Sequence, residues 1–180
     1  MKDDIAHIML DLETWGIMPG CAIRSVGAVV FDPQGEGHGE TFYRNVLDRS
    51  CWVAGLTVDK STVAWWENQS KEAQEVFAND PKPIASVVSD FHAFIAKLEQ
   101  VHPWCQGSGF DTSIWEAVAR AVGRPIPWKF WNLRDTRTAY HLAGLDERSV
   151  PRTGIVHNAL DDAIHQVKCV QAACKILRKR

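Results

Sequence analysis

Three runs rich in apolar and β-branched residues fall within the first 46 positions: "AHIMLDLE" (6–13), "AIRSVGAVVFDP" (22–33) and "ETFYRNV" (40–46). Parallel strands need a crossover of a dozen or more residues, and the links here are shorter. The three runs therefore have to form an antiparallel meander. Asp32-Pro33 and the glycines of "GEGHG" supply turn chemistry for the second reversal.

The rest of the chain changes period. Segments 57–70 and 71–80 read as short helices, Pro81 and Pro83 punctuate, and 84–101 has apolar residues at helical spacing. "HPWCQGSG" (102–109) reads as a strand entering a glycine turn, and 110–123 as a helix closed by Gly123. "WKFWNLRD" (128–135) holds a short last strand, 136–144 a helix, and 158–180 a final helix whose basic end suits the helix dipole. Antiparallel strands followed by helix-linked ones predict an α/β fold, a mixed sheet with helices packed on it.

The 180 residues suit one domain, residues 1–180, with no internal repeat or linker to split it. A formal net charge of −2 argues against a protein that coats long duplex DNA through a wide basic face. It leaves room for a nuclease whose acidic centre is neutralised by metal. Five cysteines without a CxxC pair indicate neither a disulfide framework nor a zinc knuckle. With no signal-peptide pattern in "MKDDIAH" and no apolar run near the roughly 20 residues of a membrane helix, the expected setting is the cytoplasm, away from membranes.

The first strand carries an electrostatic problem. Residues two apart on a strand project to the same face, so Asp11 and Glu13 put two carboxylates side by side at the end of an apolar run. Their repulsion disappears if a hard divalent cation such as Mg²⁺ sits between them. Two other places could supply further carboxylates. Asp111 follows a glycine turn where a helix begins, a position that also suits an ordinary helix-capping acid. In "VHNALDDAIHQ", Asn158 is a good N-cap and Asp161 sits where a capping-box acid belongs. Asp162 has no such role and lies about 100° further round the helix. His157 precedes the cap, on a loop where it can swing independently of the helix. Alone, a His and Asp pair is commonly surface chemistry without consequence.

Together, D-x-E on a first strand, F-D near the middle and H-x4-D on a last helix resemble the DEDDh group of DnaQ-like 3'-5' exonucleases. The matching residues are Asp11, Glu13, Asp111, His157 and Asp162. "DLETWG", "WWENQS", "RDTRT" and "HNALDDAIHQ" look especially like small phage and bacterial proteins similar to the mycobacterial-type 3'-5' exoribonuclease, some labelled exonuclease VIII-like. The resemblance covers nearly the whole chain. It implies an RNase H-like fold whose five-stranded mixed sheet has three antiparallel strands and then two parallel ones.

The resemblance also implies hydrolysis of a terminal phosphodiester with two Mg²⁺ or Mn²⁺ ions. Asp11 would bridge both ions, and Glu13 and Asp162 would hold the one carrying the nucleophilic water. Asp111 would serve the second, and His157 would accept the proton of that water. The implied substrate is the 3' end of single-stranded RNA or DNA, RNA favoured, and the implied assembly a homodimer. Thr14, Trp15 and Gly16 follow the first carboxylates and are expected at the terminal nucleotide, with Trp15 stacking on a base or else packing in the core. Arg137, in "RDTRT", is the best single choice for a phosphate contact within the basic stretch 120–137. Trp65 and Trp66 are adjacent on one helix and cannot both face the core, so one is free for an interface. Two other readings share these motifs: a phage-type 3'-5' exodeoxyribonuclease, and a nucleic-acid-binding module without catalysis. The intact carboxylates and histidine speak against the second.

Overall fold

A computed structural model describes residues 5–107 and 109–179. Ser108, in the glycine turn before Asp111, lies outside the described residues. Five strands, β1 (His7–Thr14), β2 (Ile23–Phe31), β3 (Thr41–Asn45), β4 (His102–Cys105) and β5 (Arg134–Asp135), form one sheet in the order β3-β2-β1-β4-β5. β1 pairs antiparallel with β2, and β2 with β3, as the short links require. β1–β4 and β4–β5 are parallel. The sheet is thus the expected one: three antiparallel strands, then two parallel.

Among the described residues, seven α-helices flank it: α1 (Asp48–Val53), α2 (Lys60–Glu67), α3 (Lys71–Glu75), α4 (Ile84–Ile95), α5 (Asp111–Ala121), α6 (Thr136–Ala143) and α7 (Ala159–Leu177). Helix α1 has no counterpart in the periodicity; six residues are under two turns, too short for a hydrophobic period to register. No helix among the described residues is long and apolar enough to cross a membrane.

Strand alternation sorts the core into two layers. Ile8, Leu10 and Leu12 point to one face, where they pack with Phe91 of α4 and Ile114, Trp115 and Val118 of α5. Met9 points to the other, with Val29 and Phe31 of β2, Tyr140 of α6 and Val167 and Val170 of α7. Asp11 and Glu13 continue the Met9 series, so they emerge beneath the start of α7.

Two irregularities shape that corner. Asp11 lies opposite Gly27 in the β1–β2 register. A Cβ on Gly27 would stand 2.3 Å from the carbonyl carbon and oxygen of Ala159 and 2.4 Å from the Leu160 nitrogen. The missing side chain therefore lets the first turn of α7 rest directly on β2, beside Asp11. The register then skips Arg24 between the pairs Glu13–Ser25 and Thr14–Ile23, a β-bulge at the end of β1.

Gly27→Ala should lower stability by about 1–3 kcal/mol, since backbone has to move to admit the methyl. At this size that is a Tm drop of roughly 3–10 °C. Turnover should fall by more than stability explains, because α7 carries part of the acidic site. Thermal melting and initial rates on the same preparation check both.

Candidate active site

β1 runs past the last parallel pair with β4, Met9–Trp104. Beyond it, the Leu12 N–H donates to Asp111 Oδ1 at 3.1 Å. Asp111 is the first residue of α5, 4% exposed, and its side chain reaches back to the strand, so the carboxyl is tied to β1. On the far side, Gln166 Nε2 donates to Asp11 Oδ1 at 2.7 Å. Gln166 lies one helical turn beyond Asp162, on the same face of α7.

Helix α7 starts as expected, with the Asn158 side chain accepting from the Leu160 and Asp161 N–H groups. The capping box does not close. The Asn158 N–H donates to the Ile155 carbonyl, and Asp161 Oδ2 accepts the Ile155 N–H at 2.7 Å. Asp161 thus braces the loop that carries His157, and a Cβ on Gly154 would fall 2.4 Å from its carboxyl carbon. His157 takes a left-handed φ of 64°, unusual for a residue with a Cβ. Its ring stands edge-on to Trp65 of α2 at 4.8 Å. The histidine is therefore clamped between cap and tryptophan, where the sequence predicted a ring swinging freely.

These elements bring Asp11, Glu13, Asp111, Arg137, His157 and Asp162 to the wall of one cavity of about 420 Å³. Gln106, Phe110 and Gln166 complete it with Leu12. Ligand atoms of Glu13, His157 and Asp162 lie within 4.8 Å of one another. A Mg²⁺ ion with bonds of about 2.1 Å spans ligands up to about 4.2 Å apart, so only a small contraction separates this group from coordination.

The carboxyls are short of compensating charge. Burial, then Asp111 and Glu13, drive the Asp11 carboxyl well above the ordinary range. Burial and Asp111 push Glu13 up to about 8, against the pull of Arg24 and Arg152. Burial pushes Asp111 up to about 7, against the Leu12 N–H and Arg137. Divalent cations fit this donor set: hard oxygen ligands, crowded, and protonated only for want of positive charge. His157 is held below its usual range, first by burial and then by Arg152, so it is neutral near pH 7 and able to take a proton.

A second cavity, of about 480 Å³, shares Leu12, Glu13 and Phe110 with the first. Its other walls are Thr14, Ile17, Ser61, Thr62, Trp65 and Trp66. Trp66 is 3% exposed and Trp65 44%, so one of the adjacent tryptophans is core and the other faces the cleft.

Of the expected nucleotide contacts, Thr14 lines this cavity; Trp15 and Gly16 line neither. Trp15 donates its indole N–H to Asp48 and lies over the Arg24 guanidinium, 4.1 Å from the ring centroid. Trp66 and Phe77 also flank that guanidinium, at 4.4 and 3.7 Å. Trp15 thus walls in the bulge residue Arg24, the packing alternative. Gly16 is buried, its carbonyl taken by Thr14 Oγ1 and Cys21 Sγ. Trp65 was singled out from sequence only as one of an adjacent pair free for an interface; Phe110, Gln106 and Gln166 on the cavity wall, and Arg152 paired with Asp162, were not given a role. Gln166 had a signal in its i+4 spacing from Asp162; Arg152, on an irregular loop, had none.

The raised carboxyls set a pH dependence. A group whose pKa is higher folded than unfolded stabilises the fold fully below its unfolded pKa and ceases to as pH rises through the folded one. For Glu13 and Asp111 that window runs from about pH 4 to 8. In EDTA, Tm should fall across it, and saturating Mn²⁺ should remove or reverse the slope. Melting curves at pH 5, 7 and 9 with and without metal measure this.

Comparison with known proteins bears on the fold and the family. An exodeoxyribonuclease of Enterobacteria phage T4 is 29% identical, the match covering 72% of this chain and 68% of the phage enzyme. Among solved structures, the zinc-bound complex of E. coli ExoI with single-stranded DNA superposes with a TM-score of 0.62 at 17% identity, over 98% of this chain. E. coli exonuclease I with a dT13 oligonucleotide gives 0.60 at 15% identity over 97%. The chain spans about two fifths of the length of these two structures, 41% in each case, and the likeness is one of fold. The model of the Rv2179c-like 3'-5' exoribonuclease domain matches residues 6–174, and the chain belongs to that family of exonucleases.

Proposed function

We propose that residues 1–180 form a single divalent-metal-dependent domain that removes nucleotides one at a time from the 3' end of single-stranded nucleic acid, RNA favoured, releasing nucleoside 5'-monophosphates. The observation that carries this reading is the shared wall of the two cavities. Glu13, Leu12 and Phe110 divide an acidic chamber from an aromatic one. A terminal nucleotide needs that combination, with the scissile phosphate over the carboxyls and the last base against Trp65 and Phe110.

Asp11, Glu13, Asp111 and Asp162 would hold two Mg²⁺ or Mn²⁺ ions. Such ions stabilise negative charge on the attacking and leaving oxygens. The chain's own residues do the rest. Neutral His157 accepts a proton from the water whose oxygen attacks phosphorus. The P–O3' bond breaks, and the leaving O3' takes a proton from solvent, giving a new 3'-hydroxyl and a free mononucleotide. Arg137, on the wall beside Asp111, neutralises phosphate charge. Asp161 is kept out of the chemistry by its bond to Ile155.

RNA preference rests on the family description, which names an exoribonuclease. The T4 relative, named an exodeoxyribonuclease, supports DNA as the second reading. Free cysteines throughout support a reducing, cytoplasmic setting. Exposed Trp52 and Val53 of α1 offer apolar surface for the homodimer we expect.

The test uses 3'-labelled and 5'-labelled oligonucleotides in RNA and DNA versions, with and without Mn²⁺. A 5' label should yield a descending ladder and a 3' label immediate mononucleotide. Asp11→Asn should abolish both with the fold intact, and His157→Ala should slow turnover about 10²–10⁴-fold. Trp65→Ala should raise KM about 5- to 150-fold, the equivalent of one stacked base at about 1–3 kcal/mol. Near-wild-type turnover by folded Asp11→Asn would overturn the reading.

A further inference from the structure

Arg152 sits ten residues before Asp162, on the irregular loop that leads into α7. Its guanidinium forms an ion pair with the Asp162 carboxylate. Its charge also reaches Asp11, Glu13 and His157, lowering the first two carboxyls and the imidazole alike. So a cation belonging to the chain already stands among the groups that would bind a divalent ion.

The other two arginines near the carboxyls are differently held. Arg24 is 9% exposed and boxed by Trp15, Trp66 and Phe77, so it cannot leave. Arg137 packs over the backbone of Gly107, where a Cβ would come within 3.1 Å of its Nη1. The Arg152 side chain keeps a third of its surface in solvent, 33% against 15% for Asp162. Its loop is fixed just after Arg152, by Lys168 Nζ on Thr153 Oγ1 at 2.9 Å and by Asp161 on the Ile155 N–H. The backbone therefore stays while the long side chain can turn outward.

We infer that Arg152 is a built-in counter-cation: it neutralises Asp162 when no metal is bound, is displaced by the incoming ion, and is then presented to the phosphates of the substrate strand. The inference rests on the nuclease reading above only in its last clause. A guanidinium and a divalent ion cannot share the Asp162 oxygens without strong like-charge repulsion, so the two compete. Once released, the same guanidinium is a forked donor of the type that binds phosphate. Metal binding and strand binding are coupled through one side chain, and coupling of this kind is reciprocal.

The test titrates Mn²⁺ alone into wild-type protein, Arg152→Gln and Arg152→Lys by calorimetry, with no nucleic acid present. Arg152→Gln should bind Mn²⁺ about 5- to 30-fold more tightly and melt lower in EDTA, and Arg152→Lys should fall between it and wild type. A second measurement follows an oligonucleotide bound to His157→Ala and to His157→Ala/Arg152→Gln in saturating Mn²⁺. Removing Arg152 should weaken that binding at least several-fold. Unchanged or weaker Mn²⁺ affinity in folded Arg152→Gln would overturn the counter-cation role, whatever the activity. Tighter Mn²⁺ with unchanged strand affinity would overturn the hand-over to phosphate. If Arg152→Gln fails to fold, the neutral Arg152→Met decides the first point by the same titration, and wild-type Mn²⁺ affinity there would overturn it.

Discussion

The repulsion among the carboxyls gathered at the end of β1 sets the terms for everything around them. Asp11 and Glu13 share a face of the central strand, Asp111 closes in from α5 and Asp162 from α7. Crowded acids in a dense site must either take up protons or be matched by positive charge. The fold provides some of that charge. Arg24 stands in the β-bulge, Arg137 at the start of α6 and Arg152 on the loop before α7, and each lowers one or more of these carboxyls. Enough is left over to keep Glu13 at about 8 and Asp111 at about 7. That unmet demand for cations is what suits the corner to a divalent ion more than to a structural salt-bridge network.

Holding the acids together takes backbone devices that have nothing to do with charge. Gly27 removes one side chain so that α7 can lie on the sheet beside Asp11. The bulge at Arg24 turns a residue that would have been part of the ladder into a guanidinium inside an aromatic box. His157 sits in a left-handed conformation of the kind that surrounding structure must impose, and here the Asn158 cap, Asp161 and Trp65 impose it. A ring fixed in this way is held near Glu13 and Asp162, which would serve the proposed proton transfer better than a free one.

Which parts of this were legible from residues follows from range. Strand pairing in the first 46 residues was, because short links leave no other topology. The meeting of the acids and His157 at one cavity was, because their residue types in that order have few ordinary uses together. Gly27 looked like any glycine in a strand, since its purpose lies in contact with Ala159, far along the chain. Trp15 was adjacent to the acids and so a natural candidate for stacking. Of the two alternatives for it, stacking and packing, the structure shows packing: Trp15 lies against Arg24 and Asp48, and helix α2 supplies Trp65 to the cleft. The capping box at Asp161 met the local rule and still did not form, because the Ile155 N–H of the preceding loop was a better-placed donor. Local patterns predicted local structure, and long-range contacts decided between equally good local alternatives.

An acid cluster short of positive charge should trade protons for cations, and counting the protons released tests this most directly. Carboxyls that are protonated near neutrality must release protons when metal binds. Calorimetric titration of Mn²⁺ at pH 7, repeated in buffers of different ionisation enthalpy, measures that release. The account predicts about one proton or more liberated per protein, with fewer released in Glu13→Gln and as the pH is raised to 9. Tight Mn²⁺ binding with no proton released at pH 7, or no binding at all, would contradict it.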